Sequence, residues 1–403
     1  MFNLQNTNFE KYIAIFAAFS VCTMRLMTAA SQIAVGIALL LGIAAWHTKK
    51  NGVHVSEEVK GYMKAYGVFV LLTVPSVLFS DKPGASLKDI LDYWVWRYVL
   101  FAVVASFIHQ REYLVNMLAA FLSVASVECL YTLVQVLKHV RTDDRGLGFT
   151  TGLSLAGIMC MLLPVVLVIL MDSGFEKKLK KISAFSVMSL IVGLLCNKSR
   201  GAWLTELIVV PLATFRYLKQ NKKYLAVVLA VFLGIAGFMA SSPRYVERVK
   251  SITNTTTDTS NTARIWVWKS SRDMIRDYPV TGVGAGRFAE IFRGKYKYKE
   301  DRSNISHAHN NFLQTTAESG ILGLAGLLYF IGYYLYSSLS NFRKHTNPYD
   351  ILIFTICFGY ICLYGLIEYT LGLSTGIRVM WFLLAVLLKM KETEGIPDKK
   401  QYE

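Results

Sequence analysis

The sequence predicts an all-α polytopic membrane protein with about twelve transmembrane helices and one long polar insert. Three observations predict it. The 403 residues are 54% hydrophobic and only 17% charged, where a soluble chain of this length carries about 25%. Apolar windows of about 20 residues, long enough to cross a bilayer as a helix, recur along the chain. The exception is a hydrophilic stretch over residues 241–311, which ends in His307-Ala308-His309-Asn310-Asn311 and runs directly into another apolar segment. The chain therefore divides into residues 1–240 (helices one to nine), 241–311 (a loop subdomain) and 312–403 (helices ten to twelve and a tail).

The apolar run near Tyr12–Ala29 is followed at once by a second and has no small-residue cleavage site. It reads as the first membrane helix, not as a removed leader. The twelve expected helices centre on Phe19, Leu39, Leu71, Leu100, Val124, Leu163, Leu190, Val209, Val231, Tyr329, Phe358 and Leu384. No internal repeat of the kind common in transporters is evident.

Charge orients the bundle. The net charge is +16, and lysine and arginine collect in short cytoplasmic loops. Lys49-Lys50, Arg111, Lys177–Lys181, Arg216–Lys223, Arg343-Lys344 and the Lys389–Lys400 tail fall on alternate connections. Those connections, and both termini, are expected to be cytoplasmic. The insert also holds many basic residues, but long loops cross largely regardless of charge. With no soluble basic domain, nucleic acid is excluded as a partner. The six cysteines lie in or beside apolar runs, with no metal-binding or disulfide spacing.

Within the insert, Ser251–Asn261 is polar and turn-like. Ala263–Asp277 has helical periodicity, with Asn261 or Thr262 as cap. Pro279 ends it. Trp266 and Trp268 allow this helix either to lie in the membrane interface or to pack within a loop subdomain. The Gly282-Val283-Gly284-Ala285-Gly286 stretch follows no strand, so it reads as a tight turn, not as a dinucleotide loop.

Four residues on the extracytoplasmic side are candidates for chemistry: Arg145, Arg200, Arg264 and His309. Arg200 sits in a short turn between two apolar helices, against the topological preference for arginine. It reads either as a phosphate clamp or as an arginine snorkelling to lipid headgroups. Arg264 opens the expected insert helix, where free amides and a guanidinium would attract an anion; the alternative is a solvated arginine. His309 is the candidate base. Set in the first turn of a helix capped near Ser306, it would be kept neutral by the positive helix end. His307 competes for the same role. Asp143-Asp144 is an acidic pair in the extracytoplasmic loops, short of an aspartate-rich metal motif.

These features resemble the bacterial O-antigen ligase/polymerase superfamily. The shared signs are the short Ser199-Arg200-Gly201 turn and a long late loop holding Arg264, Pro279-Val280-Thr281-Gly282-Val283-Gly284 and a terminal His-Asn. The most specific is His309-Asn310, nine residues, then Gly320-Ile321-Leu322-Gly323, similar to the His-Asn-x9-Gly-x-x-Gly pattern of lipopolysaccharide O-antigen ligases. The resemblance implies a C-type glycosyltransferase fold in the bacterial inner membrane, active at the periplasmic face. It implies an undecaprenyl-pyrophosphate-linked glycan as donor and a hydroxyl of lipid A–core as acceptor. Arg200 and Arg264, with Arg145, would bind the pyrophosphate, and His309 would deprotonate the acceptor. The reaction would invert the anomeric centre without metal, nucleotide or other cofactor. An O-antigen polymerase and a protein O-oligosaccharyltransferase share these features. A lipid-linked glycan transporter would instead place its ionisable residues at the membrane midplane.

Overall fold

The computed structural model describes residues 8–48, 55–141, 145–149 and 151–394. Lys49-Lys50, Asp143-Asp144 and Lys399-Lys400 lie outside the described residues. The described chain is all helical, without strands. Each expected centre falls within a helix. Nine of these helices are long and apolar enough to cross a membrane. The other three fall short for visible reasons. Phe9–Thr23 has only 15 residues. Arg200–Gln220 carries Glu206, Arg216 and Lys219, and Ser374–Glu392 carries Arg378, Lys389 and Lys391.

Ser374–Glu392 forms the centre of the bundle despite those charges. Its residues from Gly376 to Met390 are buried without a break. Trp381 anchors it, with its ring against Tyr66, Tyr98, Phe101 and Phe330. Such ring pairs add about 0.5–1.5 kcal/mol each beyond area burial. Gly152–Met171 is buried nearly all round beside it. Lys222–Ser241, by contrast, buries no residue. An apolar helix without a packed face belongs against lipid.

The connections gather at two opposite ends. At one end, Arg111 donates to the Met390 carbonyl at 2.9 Å and the Tyr349 hydroxyl at 2.8 Å. There Lys391 pairs with Glu58 at 2.8 Å and Asp350 at 2.7 Å. At the other end lie Asp81, Arg145, Arg200, the insert and Glu368. Arg287 of the insert pairs with Asp81 at 2.9 Å.

The insert packs as a small subdomain. Its main helix runs Thr259–Asp277, four residues earlier than the periodicity predicts, because Asp258 accepts from the Asn261 amide at 2.9 Å and caps it. Neither Asn261 nor Thr262 is the cap. Val267 and Met274 pack with Phe288, Phe292, Ala308 and Ala317, and Trp268 donates its ring N–H to the Ala308 carbonyl at 2.9 Å. Of the two readings of this helix, the packed subdomain is the one realised.

Gly320 joins insert to bundle. It interrupts the Asn311–His345 helix at φ 62°, ψ −162°, a region open to glycine almost alone. The break frees backbone groups that the Pro279–Gly284 turn then satisfies. Val283 and Gly284 donate to the carbonyls of Ala317 and Glu318, both at 2.9 Å, and Ile321 donates to Pro279 at 2.9 Å. A Cβ on Gly320 would meet the Val280 carbonyl oxygen at 2.1 Å, and one on Gly282 would meet the Glu318 carbonyl carbon at 2.3 Å. The glycines of the turn thus allow two backbones to touch. Gly320→Ala is expected to cost at least the ~1–3 kcal/mol of a strained backbone position, read as a lowered melting temperature in detergent. Wild-type melting would contradict this docking.

Candidate functional site

Arg200 opens the Arg200–Gln220 helix, capped by Ser199. The residue two before it, Lys198, ends the Lys177–Asn197 helix in left-handed conformation. This sharp reversal points the Arg200 side chain at the insert. Its guanidinium donates to both Asp258 oxygens at 2.9 and 3.2 Å, to the Ser251 carbonyl and hydroxyl at 2.8 Å, and to Asn261 at 3.3 Å. Arg200 is therefore neither a bare clamp nor a lipid-facing arginine. It pins the 251–261 segment and, with it, the start of the insert helix. Burial works against charge on Asp258, but the Arg200 and Asn261 hydrogen bonds hold its carboxyl below the usual range. That contribution is present above the ordinary carboxylate pKa and lost as pH falls through the lowered value.

Arg264 lies in the second turn of its helix, not at the N-terminus, because the helix starts at Thr259. At the helix end itself the Asp258 carboxylate takes the Asn261 amide. Arg264 faces a cleft instead. Its only hydrogen bond among those described is to Ser260 at 3.0 Å, and its buried Nε has no partner. Burial, and then the charge of Arg200 against the opposing Glu368, lowers its pKa.

The cleft has a volume of about 280 Å³, and its lining includes Arg145, Arg200, Arg248, Arg264, Trp268 and Glu368. Arg145 is held by the Asn197 carbonyl at 3.0 Å. Arg248, which sequence reasoning missed, donates to the Lys198 carbonyl at 3.1 Å. Burial and the neighbouring Arg200 and Arg145 push it down to about 10. Four guanidiniums facing one part-enclosed space disfavour one another's charge, and an anion relieves that repulsion. The Pro243–Lys250 helix that carries Arg248 has a strong basic face, the signal that could have revealed it.

His309 is brought to the edge of this cleft by Glu368. Its Nδ1 lies 2.9 and 3.0 Å from the two Glu368 oxygens. Glu368 is 1% exposed. Its burial opposes ionisation, but the His309 hydrogen bond and the charges of His309 and His307 hold it below the usual value. It stays ionised at neutral pH. His309 itself is not in a helix turn. It has φ 47° and precedes Asn310, which caps the following helix by accepting from the Phe312 and Leu313 amides at 2.9 and 3.0 Å. A buried carboxylate, not a helix dipole, is what acts on the imidazole. The His307 ring lies against it, tilted by 55°, at 4.1 Å between ring centroids. Burial and the neighbouring His309 push it down to about 4.

The two asparagines explain how a loop end meets a carboxylate 59 residues away. Asn310 donates to the Leu366 carbonyl at 3.0 Å. Asn311 donates to the Ile361 carbonyl and the Thr370 hydroxyl at 2.9 and 2.7 Å, and accepts from the Leu371 amide at 3.2 Å. Both fasten the insert's end to the segment that holds Glu368. A signal for Glu368 exists in the sequence: it is an ionisable residue directly after an apolar run.

Residues 184–328 match a family model described as O-antigen ligase. That span contains Arg200, Arg248, Arg264 and His309 and stops before Glu368. The chain is also 23% identical over 211 residues to an uncharacterized protein of Haemophilus influenzae, covering 48% of this chain and 51% of that relative. The chain thus spans about half the length of the curated relative it matches.

Proposed function

From the match of residues 184–328 to the O-antigen ligase family model, we propose that this chain transfers a glycan from undecaprenyl pyrophosphate to a hydroxyl of lipid A–core, at the periplasmic face of the bacterial inner membrane. The observation that carries the proposal is the cleft of four arginines bordered by a His309–Glu368 pair. Arg264, Arg145 and Arg248 bind the donor pyrophosphate. Arg200 contributes to the same field while holding the cleft wall in shape.

Glu368 accepts from His309 Nδ1–H, which leaves Nε2 free to accept a proton. The acceptor hydroxyl gives that proton to Nε2 as its oxygen attacks the anomeric carbon. The bond from that carbon to the pyrophosphate oxygen breaks, and the pyrophosphate leaves with the electron pair. Attack opposite the leaving group inverts the centre. The charge growing on the leaving group meets guanidiniums that are already oriented, so little reorganisation accompanies the transition state. The arginines can supply that stabilisation without a metal. Asn310 and Asn311 position His309 and Glu368 without touching substrate.

The test is reconstitution of the purified chain with a lipid-linked glycan and two acceptors: lipid A–core and a second carrier-linked repeat. Glycan on lipid A–core is the expected product. Chain extension on the carrier alone would make the protein a polymerase, and no transfer to either acceptor would overturn the proposal.

A further inference from the structure

The geometry points to a second property of the same pair. We propose that His307, His309 and Glu368 form a binding site for Zn²⁺, and that zinc inhibits the protein instead of serving it. The inhibitory part rests on the proposed role of His309; the binding does not.

The three side chains each offer a ligand atom, all within 4.8 Å of one another. The Glu368 oxygens lie 2.9 Å from His309 Nδ1 and 3.8 Å from His307 Nδ1. Zinc binds imidazole nitrogen and carboxylate oxygen at about 2.0–2.2 Å. Tetrahedral ligands at that distance stand about 3.3 Å apart, midway between the two observed spacings. Two imidazoles and one carboxylate suit zinc better than the hard oxygen-seeking ions. The His-x-His spacing delivers both rings from one short segment, because the left-handed turn at His309 folds its ring back onto His307.

Access and opposition can both be named. His307 also lines a second cleft of about 250 Å³, with Ser306, Gln314, Glu318 and Tyr369, while Glu368 lines the arginine cleft. The triad therefore sits between two open spaces, and a water can complete the coordination. Two things work against binding. The His309 amide donates a long 3.3 Å hydrogen bond to His307 Nδ1, and the positive charge of Arg264 acts on Glu368. Both predict a reversible site, not a tightly loaded one.

Zinc on His309 Nδ1 takes the lone pair there and displaces the Nδ1 proton. The neutral ring carries a single proton, so zinc on Nδ1 shifts it to Nε2, the atom that must accept one from the acceptor hydroxyl. Glu368 is drawn to the metal at the same time. Binding and base catalysis are mutually exclusive at this imidazole.

The experiment uses the full chain in detergent, with any affinity tag removed. Zn²⁺ is titrated by calorimetry, and Co²⁺ is followed by its visible d–d absorption as an independent probe. One ion per chain, reversed by EDTA, is expected. His307→Gln should weaken binding by more than the ~10-fold that loss of even an outer partner costs. It should also leave transfer active but insensitive to zinc. His345→Gln, at the opposite end of a 35-residue helix, should bind as wild type does. Should His307→Gln not fold, X-ray absorption of the zinc-loaded wild type reads the ligands directly, and a shell without two imidazoles overturns the site. Wild-type zinc affinity in folded His307→Gln overturns it equally. Zinc binding at the triad without transfer to any acceptor would instead retain the site and remove the function proposed above.

Discussion

Glu368→Gln is expected to lower glycan transfer by about 10²–10⁴-fold, the range that general base catalysis contributes, with little change in melting. The glutamine keeps the size of the side chain and can still accept from His309 Nδ1. What it removes is the buried negative charge that favours proton uptake at Nε2. His309→Ala should cost a similar factor. The more searching measurement is the double variant. If the two residues act as one unit, Glu368→Gln with His309→Ala should be no slower than the worse single variant, because catalytic groups that work together are strongly non-additive. Multiplying effects would show two separate roles, and full activity in Glu368→Gln at wild-type protein level would sink the dyad.

Arg264→Ala is expected to reduce transfer by about 10²–10³-fold, as loss of one preoriented charge-stabilising donor does, while the protein melts as wild type. Its hydrogen bond to Ser260 ties down little structure. Arg264→Lys should recover only part of the rate, since a point charge replaces a fork that matches phosphate oxygens. Arg200→Ala should behave differently. It strands Asp258 and releases the 251–261 segment, at a cost of about 1.5–3 kcal/mol for hydrogen bonds to a charged group. Melting and transfer should then fall together. The two arginines look alike in sequence, and the paired measurement separates a ligand-binding guanidinium from a structural one. Equal melting losses in both variants would refute that division.

Much of this architecture is legible in the sequence. The twelve helix centres follow from runs of apolar residues, and hydropathy is a local property that packing cannot reverse in a bilayer. The insert is legible for the same reason. Periodicity misplaces its helix start because Asp258 reads as part of a turn, although aspartate is among the best N-caps. That error carries Arg264 to a helix end it does not occupy. The assignment of His309 to a first helical turn fails similarly: Asn310, a cap with two amide partners, sits after the histidine.

By itself the sequence determined a helical membrane protein, a polar insert closing on His309, and a tight glycine turn at 282–286. Only the tertiary structure decided what those residues do. It set Arg200 on Asp258, 58 residues away, brought Arg248 into the cleft, and laid the glycine turn in the break at Gly320. It also placed Glu368 under His309. The physical reason is range. Membrane helices form from neighbours that satisfy one another's backbone, so a window of about 20 residues suffices to find them. Ion pairs join residues with no common period, and they exist only where helix packing and the asparagine hydrogen bonds close the distance.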